Sequence, residues 1–222
     1  IKDKFFKDFA SHGFLNNHLL IFVMFISIVI PARNEEDNLE KTVEKLIRNL
    51  RISYEIIIVN DNSTDRTKEI AEGLAKRSRR IRVINRTKNP GFGSTIKEGF
   101  RAAKGFAVVP VMADLCDDPN TINKMHEFIS QYDIVCGSRY IEGGRSVGAP
   151  FLKGFISKNY GSLMHFIGIP TKDITNAFKM YRKSVLSSIE LDQNNFSISV
   201  EIPLKAYFKG FTICDVPTIW YG

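Results

Sequence analysis

Three carboxylates, Asp114, Asp117 and Asp118, follow the apolar run Phe106 to Met112 in "GFAVVPVMADLCDDP" and stop at Pro119. Carboxylates grouped behind a strand-like run suit two tasks. They can hold a hard divalent cation through oxygen, or cap the helix that a proline begins. Three more polar clusters stand directly after apolar, β-branched runs: "PARNEE" (Pro31 to Glu36), "NDNSTD" (Asn60 to Asp65) and "GSRY" (Gly137 to Tyr140). Arg139 in the last offers a planar fork of donors that matches a phosphate. Arg145, Lys153 and Lys158 add positive charge beyond it, although a solvated basic face is the simpler account of those three. Asn34, Ser63 and Asp117 or Asp118 are each also ordinary helix caps. The recurrence of polar clusters behind successive runs is what points to a site.

The elements that must position these residues follow from periodicity. Strands are expected at 26–30, 54–60, 81–85, 106–112 and 133–137, and helices at 36–50, 64–78, 94–104 and 119–130. This alternation predicts an α/β fold, with parallel strands, crossover helices on both faces and ligands beyond the carboxyl ends of the strands. "NPGFGST" places Gly91 and Gly93 before the helix near Ser94, either as a phosphate-binding turn or as a plain one.

Composition narrows the class. The chain has 222 residues, 44% hydrophobic and 25% charged, enough for one domain with a substantial core, and this excludes a disordered protein. Thirty-one Lys and Arg against 24 Asp and Glu leave a net charge of +7, which favours a polyanionic partner. Cys116, Cys136 and Cys214 are odd in number and have no metal-ligand spacing, so a disulfide framework or zinc site is not expected. "LLIFVMFI" (19–26) is shorter than the roughly 18 to 20 apolar residues that span a bilayer. Residues 1–25 therefore read as an amino-terminal extension, either a core-packing or added segment or an interfacial anchor using Phe5, Phe6, Phe9 and Phe14, ahead of a domain over 26–222. The segment 151–167 allows either an amphipathic helix on a membrane surface or core packing.

Taken in order, "ISIVIPARNEE", "EIIIVNDNSTDRT", "NPGFGSTIKEGFRAAKG", "VVPVMADLCDDP", "GSRYIEGG" and "DITNAFKMYRKSVL" resemble the family-two inverting glycosyltransferases with the GT-A fold, most nearly the dolichyl- or polyprenyl-phosphate sugar synthases. The resemblance implies a Rossmann-like, mostly parallel central sheet flanked by helices. It implies that Pro31, Arg33 and Glu35 border the nucleoside, that Asp61 accepts hydrogen bonds from the base edge, and that Gly91, Lys97, Ala113 and Asp114 adjoin the donor. Asp114 would be the principal ligand of Mg2+ or Mn2+, with Asp117 assisting, and Asp118 would cap the next helix. Arg139, helped by Arg145 and Lys158, would hold an acceptor phosphate, and Asp173 would complete a catalytic set with Asp114 and Arg139. Three positions depart from the family pattern: Arg33 replaces a frequent Tyr, Asn60 the first of two aspartates, and Met112 the first carboxylate of an Asp-any-Asp pair.

The implied activity is inverting transfer of a sugar from a nucleotide-diphosphate donor to polyprenyl (dolichyl or undecaprenyl) phosphate at the cytoplasmic face of a membrane. The enzyme would be peripheral or the soluble domain of a membrane protein cut short at its carboxyl end, with no nucleic-acid partner. The alternative acceptor is a glycan hydroxyl, which would need Asp173 or Glu201 as a base. Glu201 otherwise reads as a structural carboxylate paired with a cation. A nucleotidyltransferase would carry a Gly-rich, basic loop after the first strand, which is missing here, and a non-catalytic nucleotide-sugar binder is the remaining reading.

Overall fold

The computed structural model describes residues 24–148, 151–166 and 168–222; the side chains of 151–153 are not described, and the extension expected over 1–25 lies, up to residue 23, outside the described residues. The chain alternates β1 (Ile26–Ala32), α1 (Leu39–Asn49), β2 (Tyr54–Asn60), α2 (Thr67–Arg77), β3 (Ile81–Asn85), α3 (Phe92–Ala102), β4 (Ala107–Pro110), α4 (Asn120–Phe128) and β5 (Ile134–Ser138). There follow β6 (Arg145–Val147), α5 (Phe151–Phe166), β7 (Lys179–Arg182), α6 (Lys183–Ser188), α7 (Ile198–Phe208), β8 (Ile213–Pro217) and β9 (Ile219–Tyr221).

Strand side chains alternate between faces, so an apolar run with both faces covered feeds two cores. Ile26, Ile28 and Ile30 of β1 join Ile56 and Ile58 of β2 under α1, α2 and α4. Val29, Ile57 and Val59 face the other way, against Ile96 and Phe100 of α3 and Ile198 and Ile202 of α7. α1 turns Leu39, Val43 and Leu46 inward, the spacing of one helical face.

The main sheet has the order β3-β2-β1-β4-β7-β5-β8, with β6 and β9 forming a separate pair. β1 pairs in parallel with both β2 and β4, so the order reverses there and opens a crevice beyond their carboxyl ends. The sheet is mixed: β7 lies between β4 and β5, antiparallel to both. Nothing in "KMYR" alternates strongly enough to mark this strand in the sequence. Glu55 joins three strands from within, accepting bonds from Ser27 Oγ (2.6 Å), Lys104 N (2.8 Å) and Arg82 Nη2 (2.7 Å). Burial pushes its carboxyl up, but those donors together hold it below the ordinary value.

Helix α3 sits so close to β1 that a Cβ at Gly99 would overlap the methyls of the fully buried Val29. Gly99→Ala is therefore expected to destabilise the chain by about 1–3 kcal/mol. Gly73, in α2, has nothing within 4 Å of its missing Cβ, and Gly73→Ala is expected to be neutral or to stabilise by about 0.4–1 kcal/mol. Denaturant titration of the two variants checks this, and equal midpoints would contradict the α3–β1 approach.

Candidate active site

The crevice between β1 and β4 is walled on one side by loops that bind each other. Asn34 N donates to Ser63 Oγ (3.1 Å) and Thr64 N to Asn34 Oδ1 (2.9 Å). Glu35 N donates to Thr67 Oγ1 (2.7 Å) and Glu36 N to Asp65 Oδ2 (3.1 Å). Asn34 and Asn62 both take φ of 55°, which Asn tolerates better than most residues. Asn34 and Ser63 thus bind between loops. Pro31 is half-buried within β1, Arg33 is exposed, and Glu35 is half-buried. Burial pushes the Glu35 carboxyl up against an Asn38 hydrogen bond, and the charges of Asp114 and Asp65 add to the rise. Glu35 and Asp114 therefore sense each other across the crevice.

Asp61 is buried, with one carboxylate oxygen on Arg86 Nη1 and the other accepting Gly91 N (2.8 Å). Arg86 also bonds Thr95 Oγ1 (3.0 Å) and Glu98 Oε1 (3.1 Å). Sequence reasoning missed Arg86, whose signal is its place directly after β3 at the same sheet edge. The two glycine amides of the turn are engaged within the protein and are not open to a phosphate. Gly91 N serves Asp61, and Gly93 N (2.9 Å) and Ser94 N (3.4 Å) both donate to Asn194 O. Gly93 is required because a Cβ there would meet the 193–195 backbone at 2.6 to 2.8 Å. Lys97 bonds Leu191 O (3.1 Å) and Asn194 Oδ1 (2.7 Å) and lines a separate cavity of about 600 Å³ between α3 and α6.

At the end of β4, Ala113 is buried and its carbonyl accepts Thr42 Oγ1 (2.7 Å), which ties the turn to α1. Leu115 has φ of 68°, a left-handed conformation that costs a residue with a Cβ on the order of 1–3 kcal/mol. Asp114 is exposed and accepts Cys116 N (3.1 Å), whereas Asp117 is buried and accepts Met112 N (3.0 Å). Asp118 accepts Asn120 N (3.0 Å) at the first residue of α4, but the cap position expected of it is held by Pro119. Burial, reinforced by Asp114, pushes the Asp117 carboxyl from 3.8 to about 7, against the pull of the Met112 amide, Cys116 and Arg139. Burial and the two carboxylates push the Cys116 thiol up, so it stays a neutral neighbour.

No group of three or more His, Cys, Asp or Glu among the described residues could by itself hold a metal. Mg2+ and its like commonly use one or two carboxylates and complete their shell with substrate phosphates and water. Asp114 and Asp117 fit that kind of site. A closed, all-protein site is not formed among the described residues.

Arg139 follows β5 and is fixed by the fully buried Asp173. Its backbone N (2.9 Å) and Nε (2.7 Å) reach Oδ2, and Nη2 reaches Oδ1 (2.8 Å). Nη2 also donates to Ser157 Oγ on α5 (3.1 Å). The two-pronged edge of the guanidinium therefore faces Asp173, which corrects the expectation that this fork grips a phosphate; Nη1 is the group left for a ligand. A cleft of about 540 Å³ brings together Asp114, Asp117 and Arg139 with Met112, Ile156 and Trp220. Ser157, Phe196 and Trp220 were not singled out from the sequence, because none stands in a motif. Trp220 arrives on a carboxyl-terminal strap: it bridges to Asp117, Tyr221 N donates to Cys116 O (2.9 Å), and Arg145 N donates to Thr218 O (3.0 Å).

Arg145 and Lys158 are exposed and are not among the residues lining this cleft. The side chain of Lys153 lies outside the described residues. Glu201 accepts Asp192 N (2.8 Å), Gln193 N (3.0 Å) and Lys205 Nζ (2.6 Å), the structural reading of that residue.

The profile of Glycosyl transferase family 2 matches residues 27–190. The chain is 37% identical over 201 residues to a dolichol-phosphate mannosyltransferase of Pyrococcus furiosus, covering 87% of this chain and 56% of that protein. It is 29% identical over 199 residues to a polyprenol monophosphomannose synthase of Mycolicibacterium smegmatis, covering 86% and 75%. It thus spans little more than half the length of the first of these. Among solved structures, glucosyl-3-phosphoglycerate synthase of Mycobacterium tuberculosis, crystallised with Mn2+, uridine diphosphate and glucosyl-3-phosphoglycerate, superposes with a TM-score of 0.69. The identity is 16%, over 88% of this chain and 70% of that one, so the likeness is one of fold.

The raised Asp117 carboxyl has a consequence for stability. Above 3.8 the unfolded chain releases this proton while the folded chain keeps it until about 7, so without metal the residue's contribution is lost as pH rises through that window. Asp117→Asn should gain on the wild type in unfolding midpoint between pH 4 and 8. A difference that does not change with pH would show that Asp117 ionises normally.

Proposed function

The chain belongs to glycosyl transferase family 2, and on that premise we propose that it moves a sugar from a nucleotide-diphosphate donor to polyprenyl phosphate, with inversion and with Mg2+ or Mn2+ at Asp114. One observation carries the reading: a buried carboxylate aims Arg139 into the cleft that also holds Asp114 and Asp117. Asp114 and Asp117 would hold the cation. When bound, it would offset the charge that gathers on the departing diphosphate. Glu35, Pro31, Arg33 and Ala113 border the donor side, where the β1 and β2 loops are stiffened by their mutual bonds. Asp61, expected to accept from the base edge, is instead buried with its two oxygens on Arg86 and the Gly91 amide, so it would shape the base side of the pocket from behind.

On the acceptor side, Nη1 of Arg139 would hold the attacking phosphate against the repulsion of a second anion. A phosphate monoester, with its second pKa of about 6, is largely ionised at neutral pH and needs no base. This favours phosphate over a glycan hydroxyl, because both candidate bases are engaged: Asp173 by Arg139, and Glu201 by Lys205 and two amides. The named functions of the two relatives point the same way. No helix among the described residues is long and apolar enough to cross a membrane. Attachment at a cytoplasmic membrane face would instead use exposed cations such as Lys158 of α5 and Arg145 of β6.

Arg139→Ala should lower kcat/KM for prenyl-phosphate transfer by about 2–4 kcal/mol, as for removal of one transition-state donor, while nucleotide-diphosphate affinity holds. Asp173→Asn, which loosens Arg139 without removing it, should reproduce much of that loss. Product release and calorimetry on the same proteins check both, and parallel losses of donor binding and transfer would overturn the acceptor assignment. In the same calorimeter, Asp114→Asn should abolish the Mn2+-dependent part of nucleotide-diphosphate affinity; if that part survives, the metal ligand lies elsewhere.

A further inference from the structure

Trp220, the single tryptophan of the chain, lines the cleft with Asp114, Asp117 and Arg139 and supplies neither a charge nor a metal ligand. Its backbone is tied along both edges. On one side β9 runs parallel to β6, with Trp220 opposite Ser146 and Gly222 N donating to Val147 O (2.8 Å). On the other, Trp220 bridges to Asp117, and Tyr221 N donates to Cys116 O (2.9 Å). Just ahead of it, Thr218 N donates to Ser138 O (3.1 Å), and the Thr218 and Thr121 hydroxyls lie 2.9 Å apart. The strap therefore holds the root of the indole beside the turn that carries both acids.

The ring is also held at its ends. A Cβ at Gly222 would come within 2.5 and 2.8 Å of Cζ3 and Cη2, so the outer end of the six-membered ring rests on Gly222. At the other end the indole N–H lies near the Cys116 thiol and favours its ionised form. Trp220 is half-buried. With both ends taken up, what the indole has left for a ligand is its face, which carries the negative part of the ring quadrupole. Such a face repels a diphosphate and attracts polarised C–H bonds. A hydrocarbon laid there would cover the neighbouring Asp117 without bonding it. A pyranose lays C–H bonds on the ring and carries hydroxyls at its rim, within a cleft that also offers Thr175 and Asn176.

We propose that the face of Trp220 is the platform on which the donor's hexopyranose ring stacks, which makes it a specificity-determining residue of the transfer. It reads the sugar and takes no part in holding the base or the diphosphate. Gluco- and manno-configured rings present the same axial C–H pair, on C3 and C5, so the platform accepts either and leaves their discrimination to other groups. The inference rests on the nucleotide-sugar reading above and adds to it the group that holds the transferred sugar.

With one tryptophan in the chain, indole emission reports on this face alone. The test titrates the protein in Mg2+ with uridine diphosphate and UDP-glucose, and with guanosine diphosphate and GDP-mannose, following emission excited beyond the tyrosine band and, in parallel, the heat of binding. For the pair that binds, the sugar nucleotide should quench or shift the emission and the bare diphosphate should leave it unchanged. Trp220→Ala should weaken sugar-nucleotide binding about two- to tenfold, the worth of one aromatic stacking contact, and leave diphosphate affinity as it was. Trp220→Phe, which keeps a face and loses the N–H, should restore most of that difference. Should Trp220→Ala lower the unfolding midpoint, the wild-type emission and Trp220→Phe decide the matter. Equal losses for both ligands would mean that Trp220 only props the strap and would overturn the platform. Emission that answers to the bare diphosphate, or to farnesyl phosphate alone, would assign Trp220 to the leaving group or the acceptor and would overturn it as well. If neither diphosphate nor sugar nucleotide gives heat, the donor reading falls and the platform with it.

Discussion

The contact on which the site most depends is the one between Asp173 and Arg139. A carboxylate with no solvent exposure is costly to bury unless every lone pair finds a donor and a counter-charge is near. Asp173 meets that demand with three bonds from a single residue, its backbone amide included, so the guanidinium has little freedom to turn. The arrangement extends outward. Ser157 ties the same guanidinium to α5, and Ser157 and Thr175 hydroxyls lie 2.5 Å apart. Beneath it, the fully buried Lys179 donates to the carbonyls of Ile174, Asn176 and Ser199, which shapes the turn that carries Asp173. Burial pulls the Lys179 ammonium down, while Asp173 and Asp215 nearby favour its charge. Breaking such a pair by removing one partner typically costs about 3–5 kcal/mol, because the other charge stays buried.

A second buried pair, Arg86 with Asp61, does comparable work at the other end of the sheet edge. Through Gly91 it connects the end of β2 to the start of α3, and through Asn194 the start of α3 is joined to the segment that Glu201 and Lys205 hold in place. The polar residues at the strand ends are therefore of two kinds. Some, such as Asp114 and Arg33, face solvent and are open to ligands. Others, such as Asp61, Asp173 and Glu201, are committed to the protein and give the first group its geometry.

The sequence already showed the first five strands and four helices to within a few residues, because long β-branched runs and one-sided helices carry strong periodic signals. It also placed Asp114, Asp117 and Arg139 at strand ends, where the structure brings them into one cleft. β7 was not visible: its first three residues are buried, the four lack alternation, and a partner on each side, not intrinsic preference, makes them a strand. The glycine-rich turn was open to two readings. Its glycines admit a neighbouring backbone, and a local pattern cannot say which backbone approaches. Trp220, Phe196 and Ser157 reach the cleft from distant stretches without motif character, and only tertiary contact reveals them. Arg86 shows the same limit, since an arginine after a strand is unremarkable until a buried aspartate is found against it.

The antiparallel insertion of β7 sets a dimension. Neighbouring strands lie 4.7–4.9 Å apart, so a single spacer strand holds the carboxyl ends of β4 and β5 about 10 Å from each other. Asp114 stands at one of those ends and Arg139 at the other. On the proposed roles of Asp114 and Arg139, adjacent strands would crowd cation and guanidinium onto one phosphate. With one strand between them, the sheet would act as a ruler whose interval suits a sugar ring between two anions. The gap is thus written into strand order, where side-chain substitution can do little to alter it.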